Sequence, residues 1–258
     1  MSLPALAHSP LAANGLERVS AWLTLTLLGL LWATYLLGAR RVRPRRWQTV
    51  LFHATALLCL GTLLGPLDEW AKTGTAAHMT QHMLLMGVIA PLWVLSRPLP
   101  QLITASRPLT PVLWRPLLLL VRHPMACAFL HGIVIWFWHM PRFYTAAVEN
   151  PWWHLLAHFS FLITAGLFWW SVLYGASRRA PWAFLALLFT LIHTGFLGAL
   201  LSFAANPLYV EARDLADQQL AGLIMWVPGG VPYLLGAAWV GYQWWQRMQR
   251  RMDCPGYP

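Results

Sequence analysis

Two pairs of histidines with four-residue spacing are the features of this sequence that are best suited to chemistry. His78 and His82 form one pair, and His154 and His158 form the other. Residues four apart lie on the same face of a helix, so each pair presents two imidazoles to one side. Because imidazole binds copper, zinc and iron, the spacing predicts a metal site shared between two helices.

Further candidate ligands accompany these pairs. They are His139, Met79, Met83, Met86 and Met140. Thioether sulfur favours soft Cu(I) over hard cations, so the mixed set points to copper and favours Cu(I). Two alternatives remain open: a methionine on a buried helix often only fills space, and some of these histidines could lie in the headgroup zone beside Trp152 and Trp153.

Two deeper histidines form a second group of candidates. His131 lies eight residues before His139, which is roughly 12 Å along a helix, and His193 falls near the middle of its apolar stretch. One interpretation is a polar passage that leads from the first cluster toward the middle of the membrane, so both are candidate ligands. The alternative is that each hydrogen-bonds a neighbouring helix.

Asp217 and Gln218 begin the last apolar stretch and are also candidates. A carboxylate in the first turn of a helix interacts favourably with the helix dipole. It could equally accept a hydrogen bond from a ligating histidine and orient that ring. The sequence leaves both roles open.

The elements that must position these residues are membrane helices. The chain of 258 residues is 58% hydrophobic and only 10% charged, far less charged than a soluble domain. Seven apolar stretches are long enough to predict spans, and they cover approximately residues 19–39, 47–66, 78–95, 125–140, 152–174, 180–205 and 215–245. We therefore predict an all-α polytopic membrane protein, a bundle of seven transmembrane helices that forms a single domain over residues 1–258.

Two segments depart from a regular span. Residues 111–121 are apolar but contain prolines and an arginine, so we expect them to lie in the membrane interface rather than to cross. The last stretch contains the sequence Pro228-Gly229-Gly230 and then Pro232, which predicts a kinked or broken helix.

The positive charges predict the orientation of the bundle. Of the 18 lysines and arginines, 14 fall in alternate loops and in the C-terminal tail, while four lie on the opposite face together with seven of the eight acidic residues. Cytoplasmic loops retain positive charge, so the N-terminus is expected outside and the C-terminus in the cytoplasm. The net charge of +10 then reflects contact with anionic membrane lipid, and no nucleic-acid partner is needed.

Several functions are excluded by missing motifs. No GxxxxGK[ST] sequence is present for ATP-driven pumping, and no CxxC pair is present for redox or zinc chemistry. The only lysine is Lys72 in a predicted outer loop, so no buried lysine could form a Schiff base with retinal. A haem-binding membrane oxidoreductase, with His131 and His193 as axial ligands, and a copper permease remain as alternatives to copper handling without turnover.

Three long strings of the sequence resemble a known family. They are HMTQHMLLM (78–86), WHMPRFYTAAVENPWWHLLAHFSFLITAGLFWW (138–170) and LADQQLAGLIMWVPGG (215–230), and GALLSFAANPLYV (198–210) is a further match. All of them are similar to the seven-helix CtaG family of bacterial cytochrome c oxidase assembly factors. The family motifs fall on His78, His82, His139, His154 and His158, with Asp217 and Gln218 in the last helix.

This resemblance implies a function. A member of that family is expected in the bacterial cytoplasmic membrane, where it helps to mature a haem-copper oxidase and acts on the copper supply to the catalytic subunit. The expected partners are that subunit and a periplasmic copper chaperone. No enzymatic turnover is implied, so no catalytic residue is expected.

Overall fold

The computed structural model describes residues 15–174, 176–209 and 214–253, and within these ranges all the regular elements are helices. The α-helices are α1 (Gly15–Ala39), α2 (Arg46–Leu64), α3 (Pro66–Thr73), α4 (Thr75–Met83), α5 (Ala90–Leu95), α6 (Leu99–Ala105), α7 (Arg115–Leu120), α8 (Pro124–His139), α9 (Pro141–Glu149), α10 (Pro151–Tyr174), α11 (Ala176–Ser202), α12 (Leu215–Trp226) and α13 (Val231–Asp253). The predicted all-α class is confirmed.

Six helical stretches are long and apolar enough to cross a membrane: Gly15–Ala39, Arg46–Thr73, Thr75–Leu95, Pro151–Tyr174, Ala180–Ser202 and Leu215–Arg250. A seventh is obtained if Arg107–Leu120 and Pro124–His139 are counted together, although these two are bent by 99°. The predicted fourth span corresponds to α8, which has 16 residues and at 1.5 Å per residue is about 24 Å long. The protein is therefore a polytopic membrane protein, and its described residues contain six candidate spans, or seven with the bent pair.

Some predicted boundaries need correction. The predicted second span ended at residue 66, but helix continues through α3 to Thr73 after a break at Gly65. Proline is favoured at the first position of a helix, so Pro66 starts α3 instead of ending the span. The predicted sixth span was too long, since α11 ends at Ser202. In the predicted outer loop that follows, Glu211 and Arg213 lie outside the described residues.

Two irregular segments face each other inside the bundle. The predicted break in the last span is confirmed, because Pro228–Gly230 forms a 3-10 turn between α12 and α13. The third span contains a π-helical segment, Leu84–Ile89, between α4 and α5. A Cβ atom at Gly87 would lie 3.1 Å from the side chain of Pro232, so the π segment packs directly against the chain that follows the 3-10 turn.

Small residues bring α12 close to α11. A Cβ atom at Gly222 would lie 2.5 Å from the carbonyl oxygen of Gly198 and 2.6 Å from the amide nitrogen of Ser202. Such distances are shorter than any side chain tolerates, so only glycine permits this approach. Helix α12 packs on its other side against α4, and α11 thereby supports the helix that carries His78 and His82.

Candidate metal centre

Five histidines from three helices meet at one end of the bundle. The ring centroids of His78 and His82 on α4 lie 4.4 Å apart, and those of His154 and His158 on α10 lie 4.1 Å apart. The two pairs face each other, since His82 lies 5.4 Å from His158. His139 at the end of α8 completes the group at 5.6 Å from His82. We call these five residues the histidine cluster.

Four of the five cluster histidines are buried, and His154 is half-buried. The exposed fraction is 2% for His78, 3% for His82, 4% for His139 and 5% for His158, whereas Trp152 and Trp153 are 40% and 42% exposed. The histidines therefore do not share the exposed position of these tryptophans. Burying an imidazole nitrogen without a hydrogen-bond partner costs about 1 to 3 kcal/mol of folding free energy.

Several ring nitrogens have no hydrogen-bond partner among the described residues. They are Nδ1 and Nε2 of His82, Nε2 of His154 and Nε2 of His158. Each neutral imidazole carries one nitrogen lone pair, and lone pairs that no protein donor uses are free to bind a cation. The arrangement is thus chemically suited to metal ligation.

One group of three ligand atoms comes from the two helical pairs. His78, His82 and His158 each offer a nitrogen, and the three nitrogens lie within 4.8 Å of one another. Ligands about 2.0 to 2.1 Å from a metal ion are separated by roughly 3.3 to 4.1 Å, so small rotations of the rings would close this group on an ion. We call it the His78 triad.

A second group includes a carboxylate that sequence reasoning missed as a ligand. Asp68, His154 and His158 also offer ligand atoms within 4.8 Å of one another, and we call them the Asp68 triad. Asp68 lies on α3, is 7% exposed and accepts a hydrogen bond of 2.9 Å from Nε2 of Gln81. Asp68 lies only ten residues before His78 in the sequence, which could have marked it as a candidate ligand. From the sequence alone it was one of seven acidic residues on the predicted outer face.

His139 pairs with a methionine. Its Nδ1 lies 2.7 Å from the carbonyl oxygen of Ile135, and because a carbonyl only accepts, Nδ1 carries the proton. Nε2 therefore presents its lone pair, and it lies 3.3 Å from Sδ of Met79. Met79 is completely buried. A nitrogen and a thioether sulfur that face each other in this way form a soft donor pair.

The other candidate methionines lie elsewhere. A Cβ atom at Gly229 would be 2.6 Å from Sδ of Met83, so this sulfur packs against the break in the last span. Met86 is buried on the π segment, where its carbonyl accepts a hydrogen bond from Trp169. Met140 is 44% exposed. Of the four sulfurs, that of Met79 lies 3.3 Å from a ring nitrogen of the cluster, Nε2 of His139.

Asp217 contacts backbone instead of an imidazole. Its two oxygens accept hydrogen bonds from the amides of Thr75 at 2.7 Å and Ala76 at 3.3 Å, the first residues of α4. These hydrogen bonds favour a backbone role for Asp217 over the orientation of a ligating ring. Asp217 fixes the start of the helix that carries His78, because the first amides of a helix lack partners within the helix.

Gln218 likewise serves the backbone. Its Oε1 accepts hydrogen bonds from the amides of Leu208 and Tyr209. Tyr209 in turn donates a hydrogen bond of 2.9 Å from its hydroxyl to the carbonyl of His139. Gln218 thus holds the loop after α11 against the histidine cluster.

The two deeper histidines differ from each other. Nδ1 of His131 hydrogen-bonds Thr164 at 2.9 Å, as expected for a histidine that satisfies a neighbouring helix. His193 has no hydrogen-bond partner for either nitrogen among the described residues. Its Nε2 would lie 3.0 Å from a Cβ atom at Gly132, so its ring packs against the backbone of α8. Neither belongs to the histidine cluster.

A small cavity of about 70 Å³ reaches one side of the cluster. Its walls include His154, His158 and Asp68 as well as Glu17, Lys72 and Glu149. Nζ of Lys72 and Oε1 of Glu17 form an ion pair of 2.8 Å across it. Charged residues and the two histidines of α10 therefore line the same cavity.

Comparisons with known proteins identify the family. Neither the curated proteins nor the solved structures include a significant match to this chain. The model of the family described as cytochrome c oxidase caa3 assembly factor (Caa3_CtaG) matches residues 33–247, well over half of the chain. The matched region includes every histidine of the cluster. The chain belongs to this family of cytochrome c oxidase assembly factors.

Proposed function

We propose that this assembly factor binds copper at the histidine cluster and supplies it to the catalytic subunit of its oxidase, without enzymatic turnover. The observation that carries the proposal is the His78 triad, in which three buried nitrogens lie within 4.8 Å of one another. Ionisable side chains buried in a membrane bundle are costly, and they usually serve a function.

The donor set supports copper in its reduced state. Neutral imidazoles together with the sulfur of Met79, which lies 3.3 Å from Nε2 of His139, suit Cu(I). The copper ion is cargo here, and the residues of the cluster would hold it only until it is passed on. His78, His82, His139, His154, His158 and Met79 are the proposed ligands.

The orientation predicted from the charges would place the cluster on the outer side of the bacterial cytoplasmic membrane. A periplasmic copper chaperone could then deliver the ion, and the oxidase subunit could receive it in the plane of the membrane. In support, the cavity that reaches His154 and His158 lies beside Glu17 and Lys72, near the predicted outer ends of the first two spans.

A strain that produces His82→Ala protein tests this function. We expect oxidase that contains haem but is depleted in copper and reduces oxygen slowly. His123→Ala is the matched control, because His123 is exposed and lies outside the cluster. Normal oxidase copper in the His82→Ala strain at limiting copper, with the protein at wild-type level, would contradict the proposal.

Metal analysis and an optical spectrum of the purified protein separate the other possibilities. We expect bound copper after loading with Cu(I), and no Soret band. A Soret band with sharp bands in the reduced state would identify a haem protein instead. Copper uptake into vesicles that contain the purified protein would identify a permease.

A further inference from the structure

The two triads share one ligand. His158 belongs both to the His78 triad and to the Asp68 triad. A neutral imidazole has a single lone pair, since its other nitrogen carries a proton. His158 can therefore bind a metal ion in one triad or in the other, but not in both at the same time.

The cavity is lined by all the members of one triad but by only one member of the other. All three members of the Asp68 triad line it, whereas His78 and His82 are not among the residues of its wall. His78 and His82 are also almost completely buried, at 2% and 3% exposed. An ion that comes through the cavity would meet Asp68, His154 and His158 first.

The charges along the cavity favour a cation. Glu17, Asp68 and Glu149 contribute three carboxylates and Lys72 contributes one ammonium group. Lys72 forms an ion pair with Glu17, so the lining is acidic on balance. A cleft lined by one sign of charge raises the local concentration of the opposite ion and increases the rate of binding.

We propose that the Asp68 triad is the loading site of this protein, through which a copper ion passes before it reaches the His78 triad. The inference rests on the proposed copper function. The ion keeps its oxidation state throughout: its bonds to Asp68 and His154 break as bonds to His78 and His82 form. His158 stays bound to the ion and carries it between the triads, because the same ring faces both.

One buried side chain links the two triads. Gln81 lies between His78 and His82 in the sequence of α4, and its Nε2 donates hydrogen bonds to Asp68 at 2.9 Å and to the carbonyl of Thr62 at 2.8 Å. Gln81 is fully buried. One side chain thus ties the carboxylate of the loading site to the helix that carries the receiving ligands.

The experiment measures the rate and the capacity of copper binding separately. Purified full-length protein in detergent is mixed with Cu(I) held by a coloured chelator, and the loss of colour is followed. For Asp68→Asn we expect the final amount of bound copper to equal that of the wild type. The rate of transfer should fall roughly ten-fold or more, because the acidic first site for the cation is lost.

Asp214→Asn is the matched control. Asp214 is an exposed carboxylate whose side chain caps α12 and which does not line the cavity. Asparagine caps a helix about as well as aspartate, so this variant removes the same charge without affecting the fold or the loading rate. His158→Ala, which removes the shared ligand, should reduce both the rate and the capacity.

Each remaining outcome overturns the inference. Loading of Asp68→Asn at the wild-type rate would show that the ion takes another route. A loss of one bound copper in Asp68→Asn would show that the Asp68 triad is a separate permanent site. Both results would leave the copper function intact, whereas a wild-type protein that binds no copper would overturn that function as well.

Discussion

Removing the carboxylate of Asp217 tests whether it acts on the backbone or on the metal ligands. Its oxygens accept hydrogen bonds from the amides of Thr75 and Ala76. A hydrogen bond to a charged group contributes about 1.5 to 3 kcal/mol, and the longer of these two bonds should contribute less. For Asp217→Ala we therefore expect the start of α4 to lose roughly 2 to 4 kcal/mol of local stability. Asp217→Asn should lose less, roughly 1 to 2 kcal/mol, since its single carbonyl oxygen can still accept one of the two hydrogen bonds while its NH2 group cannot accept the other.

Hydrogen exchange measured by mass spectrometry reports this effect on the peptide that begins at Thr75. A loss of 2 kcal/mol corresponds to about 30-fold faster exchange in Asp217→Ala, with a smaller change in Asp217→Asn. The number of copper ions bound should stay the same in both variants, because Asp217 does not touch a ring of the cluster. If Asp217→Asn lost copper as completely as His82→Ala, the backbone role would be refuted and the carboxylate would have to act on an imidazole.

Three other outcomes are expected. A reporter that is active only outside the cytoplasm should give signal when fused after Lys72 and none when fused after Arg107; the opposite pattern would refute the predicted orientation. His82→Ala should remove most of the bound copper and a second cluster substitution should remove little more, because the effects of substituting ligands that act as a unit are not additive. Graded, independent losses of copper would mean separate sites. Met79→Leu should lower copper affinity by roughly ten-fold or more, while Met140→Leu, at an exposed position, should leave it unchanged. Equal effects in titrations of both variants would show that the sulfur of Met79 is not a ligand.

The fold was largely predictable because hydrophobic runs and breaks are local properties of the sequence. The apolar stretches indicated the spans, and the sequence Pro228-Gly229-Gly230 correctly predicted a break in the last one. The π segment of the third span was not predicted, since Leu84–Ile89 is a regular apolar run. Its geometry depends on packing against residues far away in the chain, such as Pro232.

Spacing of four residues identified the histidine pairs as candidate ligands because residues at that interval share a helical face. The methionines were harder to assign. Met79 and Met83 are also four residues apart, yet one faces His139 and the other faces Gly229. Both lie on α4, one helical turn apart. Which neighbouring segment each turn meets depends on the tertiary structure, so the helical period could not separate the two.

The carboxylates show most clearly what requires the tertiary structure. Asp217 is next to a distinctive sequence motif, but the close approach of α11 and α12 through Gly198 and Gly222 places it on the amides of α4. Asp68 has no motif around it, but the break at Gly65 lets α3 bring it beside His154 and His158. Asp217, which has the stronger sequence signal, thus holds the start of α4. Asp68, which has the weaker signal, lies beside the candidate metal ligands His154 and His158. Because both arrangements join residues that are far apart in the sequence, the substitutions Asp68→Asn and Asp217→Asn should differ in their effect on copper loading, with only the first slowing it.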